Sequence, residues 1–103
     1  MKPVRFHEAA RAEFVQEALY YATVGPRLGE RLVAAVEQAV RLACEFPEMG
    51  SPYKHGTRRV FPKRFPFSLV YVVHEFEVHV LALAPFSRKP GYWHSRSLDR
   101  IQP

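Results

Sequence analysis

One cysteine, Cys44, in 103 residues excludes an internal disulfide and any metal cluster built on thiolates. Cys44 stands among Leu42, Ala43 and Phe46, a setting that suits a small buried side chain better than a reactive thiol. No apolar run approaches the length needed to span a bilayer, so no membrane partner is expected. The N-terminus, Met1-Lys2-Pro3-Val4-Arg5, does not lead into the hydrophobic core of an export signal, and a cytoplasmic location is expected. Phosphate-cradling glycine loops, the H-E-x-x-H zinc motif and the G-x-S-x-G nucleophile elbow are all missing. The histidines, at 7, 55, 74, 79 and 94, fall at no ligand spacing, so neither a metal nor another cofactor is expected. The length holds one core and leaves no room for a second, which makes residues 1–103 a single domain.

Acid is scarce in only one half of the chain. Residues 1–53 carry six Lys/Arg against seven Asp/Glu, a net of −1. Residues 54–103 carry nine Lys/Arg against three Asp/Glu, a net of +6. Such asymmetry suggests one electropositive face, and polyanions or acidic peptides as partners.

Hydrophobic periodicity gives the order of elements. Pro3 to His7 reads as a short strand with Val4 and Phe6 on one face. From Glu8 to Ala22 the period becomes helical, with Phe14, Val15, Ala18, Leu19 and Ala22 as the apolar stripe and Glu8, Glu13 and Glu17 off it. Gly25-Pro26 breaks the pattern, and Pro26 suits the first position of a second helix. Leu28, Leu32, Val36, Ala39, Ala43 and Phe46 form that helix's stripe, and Pro47 ends it. A break of three to four residues predicts an antiparallel helical hairpin. Residues 48–56 read as loop, with Gly50-Ser51-Pro52 at their centre.

Beyond Gly56 the period is two. Thr57 to Phe61 predicts a short strand, and residues 65–73 a strand apolar on both faces at its centre. Phe76 to Ala84 predicts the last strand, with Val78, Val80 and Ala82 on one face and His79, Leu81 and Leu83 on the other. His74-Glu75 is left as a tight turn of unusual composition. The order β-α-α-β-β-β predicts an α+β domain, its helical hairpin packed on one face of a mostly antiparallel four-stranded sheet. The other face is then free to be a concave, partly polar, ligand-binding surface.

The residues suited to chemistry are basic and aromatic. Lys54, Arg58, Arg59, Lys63 and Arg64 fall in a stretch without acid, and Arg88, Lys89, Tyr92, Trp93, His94 and Arg96 follow the last strand. Arg and Lys neutralise phosphates, and Tyr and Trp stack on bases. The same set is able to stabilise a phosphorane-like transition state without a metal, Tyr or His moving the proton. Arginines on a solvated strand edge also deter aggregation, and spacing alone does not choose between these uses.

The run from Arg58-Arg59 through Lys63-Arg64-Phe65-Pro66-Phe67 to Leu69-Val70-Tyr71 resembles a stretch of the RelE/ParE toxin superfamily, closer to its ParE-like, plasmid-stabilisation branch. Val80-Leu81-Ala82-Leu83-Ala84, followed by Arg88-Lys89-Pro90-Gly91-Tyr92-Trp93, is similar to the superfamily's closing motif. Phe6-His7-Glu8-Ala9-Ala10 and Tyr20-Tyr21 match its opening.

The resemblance implies a toxin of a type II toxin–antitoxin module, with a cognate antitoxin carrying a flexible acidic arm. It implies growth inhibition through mRNA cleavage on the ribosome, metal-independent, or through DNA gyrase. The alternative is a non-catalytic relative that only engages its antitoxin. Arg88 matches the arginine that ribonuclease members set at the scissile phosphate, and Arg59 matches one of their basic strand positions. Tyr92, Trp93 and His94 all lie near their terminal catalytic tyrosine. Arg88, Tyr92 and His94 are therefore the catalytic candidates, and Arg58, Arg59, Lys63, Arg64, Lys89 and Trp93 the target-binding ones. Phe61, Ser68, Pro85 and Ser87 stand where ribonuclease members carry basic residues or the common histidine.

Overall fold

A computed structural model describes residues 1–96 and 98–102; Ser97 and Pro103, both in the basic C-terminal tail, lie outside the described residues. Strand β1 is Val4–Phe6, helix α1 Glu8–Val24 and helix α2 Pro26–Glu45. Strands β2, Ser51–Pro52, β3, Arg58–Val60, β4, Phe67–His74, and β5, Glu77–Pro85, complete one sheet of order β1-β5-β4-β3-β2. The sheet thus has a fifth strand, because Ser51 and Pro52, expected in a loop, pair with Arg59 and Arg58 at one edge. Pro52 is tolerated there because an edge strand need not offer every N–H. All pairings are antiparallel except β1 with β5, where Val4 lies beside Val78 and Phe6 beside Val80.

The helical hairpin is tighter than its expected three-to-four-residue break. Gly25 alone separates the helices, in an extended conformation, and Pro26 opens α2 as anticipated. The two helices nearly touch at Gly29, where a methyl group would meet the Ala22 Cβ at 2.9 Å. That close approach is why α2 carries a helix-weakening glycine in its first turns.

Leu32, Val36 and Ala39 of α2 pack with Phe67, Leu69, Val80 and Leu83 beneath them, joined by Phe6 and Ala10. Ala43 and Cys44 extend the same layer over Tyr71 and Val78. On α1 the stripe divides: Phe14, Ala18 and Tyr21 pack against the core, whereas Val15 and Leu19 are exposed. Phe46, at the end of the α2 stripe, is exposed as well.

A register shift overturns the expected faces of β5. Val70 pairs with Ala82 but Tyr71 pairs with Val80, so Leu81 is an extra, bulged residue. Leu83, Val80 and Val78 therefore face the helices, while Leu81, Ala82 and Ala84 line the opposite face with Val70. Strict alternation fails here because a bulge advances the side-chain phase by one residue. The β4–β5 turn falls at Glu75-Phe76, one residue later than expected, with Glu75 in the left-handed region at φ 57°.

The second sheet face is not an open concavity. The segment after β5 folds back over it, and Trp93, 2% exposed, seals it against Val70, Leu81, Ala82 and Ala84. The chain then returns to β1, where Gln102 N–H donates to the Phe6 carbonyl at 2.8 Å and Ile101 bridges His7. No helix among the described residues is long and apolar enough to cross a membrane.

His7 caps α1, its Nδ1 accepting from Ala9 N–H at 3.0 Å. That bond requires an unprotonated Nδ1, and burial, with Arg96 nearby, lowers the imidazole pKa below 6.5. The unfolded chain therefore binds the proton first, so stability rises with pH between the folded-state value and 6.5 and is lost on acidification through that window. His7→Asn keeps a capping acceptor without a titrating group. Urea midpoints measured at about pH 5 and about pH 7.5 should differ less in His7→Asn than in the parent; an equal difference would remove His7 from the account.

Candidate functional site

Strand alternation separates the two adjacent arginines of β3. Arg58 pairs with Tyr71 and points to the hairpin side, where its Nη1 donates to the carbonyls of Glu48 and Gly50 at 3.0 and 2.7 Å. It is committed to fixing the loop after α2, not to the basic face expected of it. Arg59 pairs with Val70 and points to the opposite face. Its guanidinium lies over the Tyr53 ring at 4.0 Å and near Phe61 at 5.0 Å, which holds a flexible side chain in one place. Nη1 lies 3.4 Å from the hydroxyl of buried Ser68, and Nε is buried without a partner.

Arg59 and Ser68 form the floor of a small cleft of about 100 Å³ whose walls include Arg88, Lys89 and Phe86. Pro85 ends β5 and the following turn, closed by Arg88 N–H donating to the Pro85 carbonyl at 3.1 Å, presents Arg88 and Lys89 outward. Three cationic side chains thus converge on a space the size of one oxyanion. Lys63 and Arg64 lie across Phe86, on the rim of a neighbouring groove against α2.

The expected catalytic residues are otherwise engaged. Tyr92 donates its hydroxyl to Glu13 Oε2 at 2.6 Å. Burial, then the hydrogen bond to this carboxylate, drives the phenol far above its ordinary pKa, so Tyr92 is no base near neutrality. Arg88 stacks on the Tyr92 ring at 3.6 Å and lies 3.7 Å from Glu13. Trp93 offers no face for stacking, because both sides of its indole are spent on the core. That corrects its expected role in target binding. His94 is exposed and stacks on His55 at 3.7 Å, beside the cleft's Trp93 wall.

Glu13 is the residue that sequence reasoning did not single out. Its carboxylate also accepts from Arg96 at 2.9 and 2.8 Å and from the Leu83 N–H at 3.1 Å. Arg96 in turn donates to the Leu81 carbonyl at 2.7 Å. Beyond Phe6 strand β1 gives way to α1, leaving the β5 edge unpaired at Leu81 and Leu83, and this ion pair satisfies both groups. Glu13 thereby bolts the C-terminal segment to the helical hairpin. The only signal in the sequence was negative: Glu13 lies off the apolar stripe of α1.

A family model described as the ParE toxin of the type II toxin–antitoxin system parDE matches residues 4–90. Among solved structures, one from the chromosomal ParDE toxin–antitoxin system of P. aeruginosa is similar at a TM-score of 0.73 and 21% identity, over 82% of this chain and 96% of that one. At that identity the likeness concerns the fold. No curated protein gives a significant match. Tyr92, Trp93, His94 and Arg96 lie past the end of the family match.

Proposed function

Since this chain belongs to the ParE toxin family of type II toxin–antitoxin systems, we propose that it is a toxin that stops growth by binding its target through the Arg59–Arg88–Lys89 face, without cleaving RNA, and that a protein antitoxin neutralises it. The observation that carries the non-catalytic reading is the Glu13 carboxylate. It accepts the hydrogen bond of the Tyr92 hydroxyl, pairs Arg96 and lies beside Arg88. A metal-independent ribonuclease needs a group that gains and loses a proton at the scissile phosphate. Tyr92 is barred from that work by its bond to an anion. Of the two targets the resemblance implies, DNA gyrase asks for no proton transfer and is the better fit.

One observation favours mRNA cleavage. His94 is exposed and stacks on the His55 ring, and histidine is the side chain most often used for general acid–base catalysis. Induction without antitoxin separates the two readings. Binding to gyrase predicts a DNA damage response with translation intact, and cleavage predicts arrested translation first.

Arg88→Ala should abolish growth arrest in the same experiment. Arg88 is 53% exposed on its side chain, and its loss should change stability by about 0.5 kcal/mol or less. Full toxicity of Arg88→Ala, with the protein melting like its parent, would show that the face is misassigned.

A further inference from the structure

An open strand edge is a template for another chain, so a sheet keeps its edges covered or guarded. Here Gln102 N–H covers β1 at the Phe6 carbonyl, and Glu13 and Arg96 cover β5 at Leu83 and Leu81. Pro52, which offers no N–H, guards the short edge strand β2. One stretch of the described sheet has neither. β3 pairs with β4 only from Leu69 to Tyr71, whereas β4 runs on to His74. On its β3 side, the end of β4 from Val72 to His74 therefore lies beside no strand of the described residues.

This free edge opens onto a groove of about 720 Å³. Phe46, Pro47 and Met49 line it from the end of α2 and the turn that follows, and Val73 lines it from the strand. Phe46, Met49 and Val73 are 52%, 55% and 43% exposed. The charged residues around them are Lys2 and Arg58 against Glu45 and Glu48, a balance of zero on a chain of net charge +5.

We infer that a second copy of this chain docks here, β4 against β4 about a twofold axis near Val73, so that the two sheets run on as one and the apolar walls of the two grooves cover each other. The inference stands apart from the function proposed above.

A twofold axis sets identical edges antiparallel, and such a contact needs a patch that complements itself. This groove does so, because two acids and two bases meet the same set on the second copy. A strongly acidic or strongly basic partner would instead be repelled by half of them. Like charge keeps two copies apart elsewhere. Strand alternation sends Arg59 to the sheet face opposite Arg58, so the basic face lies away from the groove and stays open in the dimer. Main-chain hydrogen bonds along the edge set the register, and the apolar side chains supply burial. A short strand end and a few side chains make a small contact, which places it among reversible associations.

Sedimentation velocity on the purified full-length chain tests this. The parent should pass from monomer to dimer with a dissociation constant on the order of 10 μM, as a small interface allows. Val73→Lys puts a charge on the free edge and should raise that constant about tenfold or more. Met49→Glu, on an exposed turn where substitution costs little stability, should weaken the dimer likewise and carries the test if Val73→Lys does not fold. Leu19→Ser, on the outer face of the hairpin, and Phe86→Ser, beside the basic cleft, should dimerise like the parent. Parent-like Trp93 fluorescence verifies the fold of each variant. A parent still monomeric at about 100 μM would overturn the inference. So would a dimer that persists in folded Val73→Lys and Met49→Glu, or one that is lost in Leu19→Ser or Phe86→Ser.

Discussion

Val36→Asp should leave no cooperatively folded protein. Val36 has no exposed surface and sits at the centre of α2, between Leu32 and Ala39 and over the central strands. The buried residues that pack with it, Leu32, Ala39, Leu69, Val80 and Leu83 among them, carry no cationic side chain. Burying a carboxylate there unpaired costs several kcal/mol, and the valine's own burial is lost as well. Domains of this size are stable by only about 5–15 kcal/mol, so the change consumes most or all of the margin. Far-UV circular dichroism with a urea titration decides it. A soluble Val36→Asp protein with a sigmoidal transition would mean that α2 presents a different face to the sheet.

Glu13→Ala should produce the next largest loss, about 2–4 kcal/mol, by a different route. The carboxylate and the Arg96 guanidinium are each only 15% exposed, so removing one strands the other away from water. The Leu83 N–H and the Tyr92 hydroxyl lose their acceptor in the same step. At roughly 4–8 °C per kcal/mol for a domain of this length, the midpoint should fall by about 10 °C or more. Glu13→Gln keeps an acceptor and should lose about half as much. Trp93, the only tryptophan, reports on the same event. Its emission should shift to the red in Glu13→Ala before the main transition, because the segment it anchors is released first. Coincident transitions at the parent's midpoint would show that the bolt contributes nothing.

The two changes mark where the sequence was legible. The α2 stripe was plain because Leu32, Val36, Ala39 and Ala43 repeat at helical spacing with polar residues opposite, and all four are buried. The order of elements along the chain, apart from the short edge strand β2, and the hairpin cover followed from period alone. The outer face of α1 was misjudged because Val15 and Leu19 are apolar but exposed, and periodicity reports apolarity, not burial. The β5 faces were misjudged because a bulge at Leu81 leaves no mark on composition.

The candidate site was half legible. Arg59, Arg88 and Lys89 were found as basic residues flanking strands, and they do share one cleft. Arg58 was grouped with Arg59 because neighbours in sequence were taken together, whereas a strand sends them to opposite faces. Trp93 and Tyr92 looked like ligand-facing aromatics because they follow the last strand. Tyr92 is committed to Glu13 by a contact 79 residues away in sequence, and Trp93 to Val70, Leu81, Ala82 and Ala84 by the fold-back of the chain after β5, neither of which a local pattern carries.

In the proposed function the basic face binds and does not cut. Mapping mRNA 5′ ends during cell-free translation, with the purified protein added at growth-arresting concentration, tests it most directly. No new 5′ ends should appear relative to buffer. Discrete cleavage sites that appear with the parent and vanish with His94→Ala or Arg88→Ala would contradict it.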